Sequence, residues 1–113
     1  MHELAIAQGI IQIVDSEAKK NGFSRVLEIK LKLGEFSGIL PDCLLEFFPV
    51  AAAGSPAESA KLCIETVPAR FQCLQCGHEG EADRKNACCP ACRSTAIKMT
   101  AGRELYVENL KVE

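Results

Sequence analysis

A chain of 113 residues is the size of one ordinary domain, with enough apolar side chains for a modest core and no room for two large ones. Thirteen basic against fifteen acidic residues give a formal charge of −2 with no basic block, so phosphate-backbone binding, which needs concentrated Lys and Arg, is not the default expectation. The first twenty residues have no basic segment before their apolar part and no small-residue cleavage motif, and the longest apolar stretch, residues 47–53, is far short of the roughly 20 needed to span a bilayer, so neither a signal peptide nor membrane insertion is expected.

Between residues 4 and 18 the apolar side chains Leu4, Ala7, Ile11, Val14 and Ala18 recur at three and four, with Ile6, Ile10 and Ile13 widening the stripe, which predicts an amphipathic helix. Lys19 and Lys20 suit its negative end, and Asn21 and Gly22 tolerate the left-handed conformation that stops it. Residues 25–34 change period: Leu27, Ile29, Leu31 and Leu33 alternate with Glu28, Lys30 and Lys32, a strand with one buried and one wet face ended by Gly34. Pro41 and Asp42 fit the first turn of a second helix. Its stripe is Leu44, Phe47, Phe48 and Ala51, and Pro49 is expected to distort it or confine it to one side.

A second strand runs through Leu62, Ile64 and Thr66 to Pro68, and residues 69–95, poor in large apolar side chains, form a metal module. Ile97 and Met99 start a strand that turns at Ala101 and Gly102 into residues 103–112. In that last segment Leu105 and Val107 share one parity and Leu110 and Val112 the other, so a bulge near Asn109 is expected. The fold class predicted is α+β, or small mixed α/β. Two helices cover one face of a small mixed sheet, the 35–60 connection makes a crossover between parallel strands, and a four-cysteine zinc module is inserted. The division expected is 1–68 plus 96–113 for the α/β core and 69–95 for the module.

Seven cysteines, an odd number with four at metal-ligand spacing, point to a reducing cytoplasm. Cys73 and Cys76 are separated by two residues, as are Cys89 and Cys92, with twelve residues between the pairs. Two such turns bring four sulfurs onto one ion at about 2.3 Å, a closed site for one structural zinc per chain; iron on the same sulfurs is chemically open. Cys88 in place of Cys89 would give a three-residue spacing, and the reading favours Cys89 because its pair matches the first turn. His78 is assigned to the surroundings of the ion or to the surface, and Cys43 and Cys63 to small apolar packing positions. Four sulfurs leave no place for a reactive water, so no enzyme is expected.

Met1-His2-Glu3 offers a second kind of chemistry. The terminal amine of Met1, the His2 amide and the imidazole close consecutive five- and six-membered chelate rings on one metal, and Glu3 adds an oxygen, a donor set that suits nickel or copper. An exposed histidine beside a glutamate at a positive helix end explains the same residues without a metal.

The chain as a whole resembles the HypA family of hydrogenase nickel-incorporation proteins. The resemblance rests on the opening Met-His-Glu, the Leu-Lys-Leu-Gly-Glu-Phe-Ser-Gly segment ending at Gly38, the Gly54-to-Glu58 stretch, Ile-Glu-Thr-Val-Pro at 64–68 and the two cysteine pairs, in family order. It implies a metallochaperone that carries Ni(II) as transient cargo at His2, supported by Glu3 and the Met1 nitrogen. It also implies zinc held by Cys73, Cys76, Cys89 and Cys92, and delivery with a HypB-type GTPase to the large subunit of nickel-iron hydrogenase; some members also serve urease. One departure is Leu40, where the family usually carries an acid; the nearest acid here is Asp42, beyond Pro41. The competing reading is a zinc-bearing adaptor for protein or nucleic acid without nickel transfer.

Overall fold

Helix α1, Glu3–Asn21, buries Ala7, Ile10, Ile11, Val14 and Ala18 and stops where Gly22 takes φ 75°. Strand β1 follows at Val26–Gly34, then α2 at Pro41–Ala52 and β2 at Lys61–Val67. The remaining elements are β3 at Arg70–Cys73, β4 at Glu79–Glu81, β5 at Ile97–Ala101 and β6 at Leu105–Val112. The computed structural model describes residues 3–83, 85 and 87–113.

Strands β1 and β2 run parallel and β6 joins the other edge of β1 antiparallel, giving the order β2-β1-β6. Both helices share one sheet face: side chains such as Ile10 and Val14 of α1 meet Leu44 and Phe48 of α2 over Ile29 and Leu31 of β1. Each large side chain buried this way contributes roughly 1.5–3 kcal/mol, which is what holds so small a domain together. The opposite face is wet. There Lys30 and Lys32 of β1 reach Glu65 of β2 and Glu108 of β6, with Lys32 Nζ 3.5 Å from the Glu108 carboxylate.

The bulge expected near Asn109 is present: Lys30 pairs with Asn109 but Leu31 with Val107, so Glu108 is the extra residue and both Val107 and Leu110 face the core. Other expectations need correction. A second irregularity between Val26 and Glu28 turns Val26 inward and leaves Leu27 exposed, breaking the alternation at its start. Leu4 and Ile13 are also exposed, because the inward face of α1 is narrower than its apolar stripe. Helix α2 continues through Pro49 to Ala52; Pro49 and Leu45, four residues before it, are both exposed, so water can serve the carbonyl that the proline leaves without a donor.

The strand at Ile97 does not complete the main sheet. It pairs with β3 in a second three-stranded sheet of order β4-β3-β5, so Ile97–Ala101 is built into the module on the far side of the 95/96 division. Only β6 returns to the core. The two sheets meet at a tight joint, where the Phe36 amide donates to the Gly102 carbonyl at 2.7 Å and the Gly34 amide to that of Glu104 at 2.7 Å. Carboxylates finish it: Ala69 donates to Glu35 Oε1 at 2.9 Å and Gly102 to Glu104 Oε1 at 2.7 Å. Gly102 has φ 118° and a Cβ there would lie 2.6 Å from Ala69 Cα, so only glycine fits. The molecule is accordingly long, 54 × 26 × 16 Å.

Candidate metal centre

Cys73 closes β3 and begins a turn that carries Cys76 back over it; the Gly77 amide donates to the Cys73 carbonyl at 3.1 Å, with Gly77 at φ 78°. The second pair repeats the device. Arg93 donates to the Cys89 carbonyl at 2.7 Å and takes φ 62°, a conformation that ordinarily selects glycine. Two equivalent turns therefore face each other, and the four sulfurs lie within 4.8 Å of one another. Cys73 and Cys92 Sγ are 3.5 Å apart and Cys76 and Cys89 Sγ 3.7 Å. Four sulfurs at 2.3 Å from a central ion sit about 3.8 Å apart, so the donor set fits a tetrahedral thiophilic cation.

Burial divides the ligands. Cys89 and Cys73 are 0% and 2% exposed and pack with Phe71 as the small core of the module, whereas Cys76 and Cys92 face solvent. The amides of Cys76 and Gln75 both donate to Cys73 Sγ at 3.4 Å. The Cys76 amide above all, against the opposing effect of burial, holds the Cys73 thiol down to about 6. Cys92 goes the other way: the Ser94 amide pulls its thiol down, but sharing with Cys73, burial and the other cysteines outweigh it and push it up to about 12. Sulfurs this close compete for negative charge, so one gives up its proton readily while another holds its own; a divalent ion at their centre would let the whole set ionise.

Cys88 is half-buried beside Cys89 and stands outside the four-sulfur group. His78 is also outside it; its ring lies against Phe71 with centroids 5.9 Å apart, and its carbonyl accepts from the Cys73 amide at 2.8 Å. Cys43 and Cys63 are half-buried and far from the group in the fold, and burial, followed by Glu28, pushes the Cys63 thiol up.

At the other end, Met1 and His2 lie outside the described residues. Glu3 is described, and at 5% exposure it is the one buried charged side chain among those residues. Its Oε2 accepts from the Leu40 amide at 3.4 Å, across from the first turn of α1 to the start of α2. Two positive helix ends thus meet at one carboxylate, which offsets both. Leu40 itself is 62% exposed and gives α2 no side-chain cap, and Asp42 is exposed in the first turn of α2. The contact between Glu3 and Leu40 is a pairing that no spacing rule anticipates, since 37 residues separate them. The left-handed Arg93 was equally invisible in the sequence.

Comparison with known proteins gives one consistent picture. The family model described as hydrogenase/urease nickel incorporation, metallochaperone, hypA matches residues 1–112. The chain is 39% identical over 113 residues to the hydrogenase maturation factor HypA of Chlorobium luteolum, covering all of this chain and 97% of the relative. It is 36% identical to that of Acidithiobacillus ferrooxidans, covering both chains fully. Among solved structures, the nickel metallochaperone HypA from Helicobacter pylori superposes with a TM-score of 0.72 at 23% identity, over 99% of this chain and 97% of that one. A second HypA solution structure gives 0.75, also at 23% identity, over 100% and 97%. At that identity the two structures speak to the fold alone, two helices with small mixed sheets.

Proposed function

The chain belongs to the HypA family of hydrogenase/urease nickel-incorporation metallochaperones, maturation factors rather than enzymes, and on that premise we propose that it carries Ni(II) at its N-terminus and hands it to nickel-iron hydrogenase. The family match from residue 1 to residue 112 is the observation that carries this reading, because it takes in the terminal Met-His-Glu as well as the cysteine pairs.

Nickel, the cargo, is bound by the Met1 amine, the His2 amide and imidazole, with Glu3 in support. A cation held where two helix N-termini converge meets a repulsive field, and the buried Glu3 carboxylate supports the reading by countering it. Delivery needs a site that loads and releases, which a terminal chelate of nitrogen and oxygen donors does better than a closed cage of four sulfurs. The cage takes one zinc per chain through Cys73, Cys76, Cys89 and Cys92. Zinc, when bound, supplies the counter-charge that fixes the module's two turns, a contribution of roughly 10–16 kcal/mol apparent in isolated zinc-finger peptides.

Partners consistent with the family are a HypB-type GTPase and the hydrogenase large subunit in the cytoplasm, with urease accessory proteins as further recipients. Among the described residues no helix is long and apolar enough to cross a membrane.

The test is a nickel titration of the zinc-loaded protein, its His2→Ala variant and a form extended by two residues before Met1. Nickel affinity is expected to fall at least tenfold in both altered forms while zinc content stays unchanged. Undiminished affinity in both would remove the terminal chelate. Asp42→Asn in the same titration decides whether that acid replaces the one absent at Leu40.

A further inference from the structure

The two sides of the four-sulfur cage differ. Cys76 and Cys92 face solvent, while Cys73 and Cys89 close the inner side against Phe71 and Ile97. A cavity of about 510 Å³ reaches that inner side, and its walls include Phe71, Ile97, Glu81 and both Cys88 and Cys89. Adjacent residues of an extended strand point to opposite sides, but the chain bends at Cys88, and the two neighbouring cysteines line one cavity. Cys88 is half-buried there and stands outside the four-sulfur group. The cage thus has a fifth thiol on its inner flank, one residue from the most deeply buried of its ligands.

We propose, on the basis of the zinc cage assigned above, that its second turn has two registers: a resting one closed by Cys89 and Cys92, and a minor one closed by Cys88 and Cys92. Passage between them is the route by which metal enters and leaves the cage. Two to four residues between a pair of cysteines allow both to reach one zinc. Cys88 and Cys92 enclose three, so they meet that requirement as Cys89 and Cys92 do with two. Cys88 cannot stand in for Cys92. It would have to pair with Cys89, whose α-carbon is about 3.8 Å away across a trans peptide, leaving no turn to aim both sulfurs at one centre. Cys88 is therefore a substitute for Cys89 specifically.

A tetrahedral set of four thiolates has no open position. Cys88 entering from the cavity before Cys89 departs keeps four thiolates on the ion throughout the exchange. The second turn is also the one that yields more readily. Its counterpart is closed by Gly77 at φ 78°, where the left-handed conformation meets no steric cost; here Arg93 holds φ 62° and carries the penalty of a side chain. A shift of one residue breaks the two bonds that fix the resting register, from the Cys89 amide to the Ser94 carbonyl at 2.8 Å and from the Arg93 amide to the Cys89 carbonyl at 2.7 Å. Each is worth about a fivefold preference, so the second register is roughly thirtyfold the rarer.

Cobalt(II) titrated into the full chain under reducing conditions tests this, because its ultraviolet charge-transfer band counts thiolates and its visible bands report tetrahedral geometry. Cys89→Ser should still give a tetrahedral four-thiolate spectrum, with affinity about thirtyfold lower. Adding Cys88→Ser should remove one thiolate from that spectrum and cost roughly a further tenfold or more. Cys92→Ser should resemble the double variant. Cys88→Ser alone keeps all four resting ligands, so a misfolded Cys89→Ser cannot hide the answer. Loaded with zinc and challenged with a chromophoric chelator, at a concentration where the rate no longer depends on it, Cys88→Ser should release metal about fivefold more slowly than wild type. Arg93→Gly, which firms the resting turn, should slow release too. Three-thiolate cobalt in Cys89→Ser, or equal release from Cys88→Ser and wild type, overturns the second register and leaves the cage intact. Rescue of Cys92→Ser to four thiolates overturns it as well, by making Cys88 an indiscriminate thiol. Fewer than four thiolates in the wild-type chain removes the cage itself, and the proposal with it.

Discussion

Replacing Gly34 by alanine should damage the protein far from any ligand. The added Cβ would lie 2.6 Å from the Arg103 amide nitrogen, and closer still to the Gly102 carbonyl. That is about 1 Å short of an ordinary carbon contact, and the obstacle is backbone, which has no rotamer to change. Relief requires the 102–104 segment to retreat, stretching the hydrogen bonds from Phe36 to Gly102 and from Gly34 to Glu104, both 2.7 Å. Each is worth about 1 kcal/mol net, and a buried amide left unpaired costs about 1–3 kcal/mol more, so a loss of roughly 2–4 kcal/mol is expected. For a chain of this size that is about 8–20 °C in melting temperature. Calorimetry of the metal-loaded protein measures it, with metal content expected to remain at the wild-type value because all four sulfurs lie beyond the joint. Gly54→Ala is the control: Gly54 has φ 76° with open space around it, so it carries only the left-handed penalty of about 1–2 kcal/mol. If Gly34→Ala melts within about 3 °C of wild type, the joint is not the close backbone crossing described here.

Two further outcomes concern the metal centre. Arg93→Gly relieves the left-handed arginine of the second turn and should raise the stability of the metal-loaded protein by about 1 kcal/mol; an unchanged or lower melting temperature would mean that the Arg93 side chain contributes more than its backbone costs. Metal uptake at pH 7 should release fewer than four protons per ion, because the Cys73 thiol, held at about 6 by the Cys76 and Gln75 amides, is already largely ionised. Titration calorimetry in two buffers of different ionisation enthalpy counts them, and a full four protons would contradict the role given to those amides.

Periodicity revealed the elements that bury a continuous face. The stripe of α1, the body of β1 and even the bulge in β6 were readable, because each leaves a parity or a turn in the order of apolar residues. The cysteine cluster was readable for another reason: a two-residue spacing leaves a turn little choice. What stayed hidden depends on partners rather than pattern. Half-buried alternation in Ile97–Ala101 declares a strand without saying which neighbour it takes, and Glu79–Glu81 has no large apolar residue to announce β4. The contact between Glu3 and Leu40, likewise, exists only once the two helices have packed.

The pairing of Val26 with Val112 has a consequence for how the chain matures. The main sheet cannot close until residue 112 has been made, so the ends of the domain wait on everything between them. The module shortens that wait. Once β3 and β5 have paired, the joint delivers Leu105 to Leu33, and β6 can zip along β1 from there. With Gly34 on Val67 and Arg70 on Ala101, the loop left to close before Leu105 shrinks roughly fivefold, worth about 1.5 kcal/mol in closure entropy. An ion that folds the module first therefore acts on the order of assembly as well as on the final structure, and a chain starved of it would linger with its oldest helix built and its last strand unplaced.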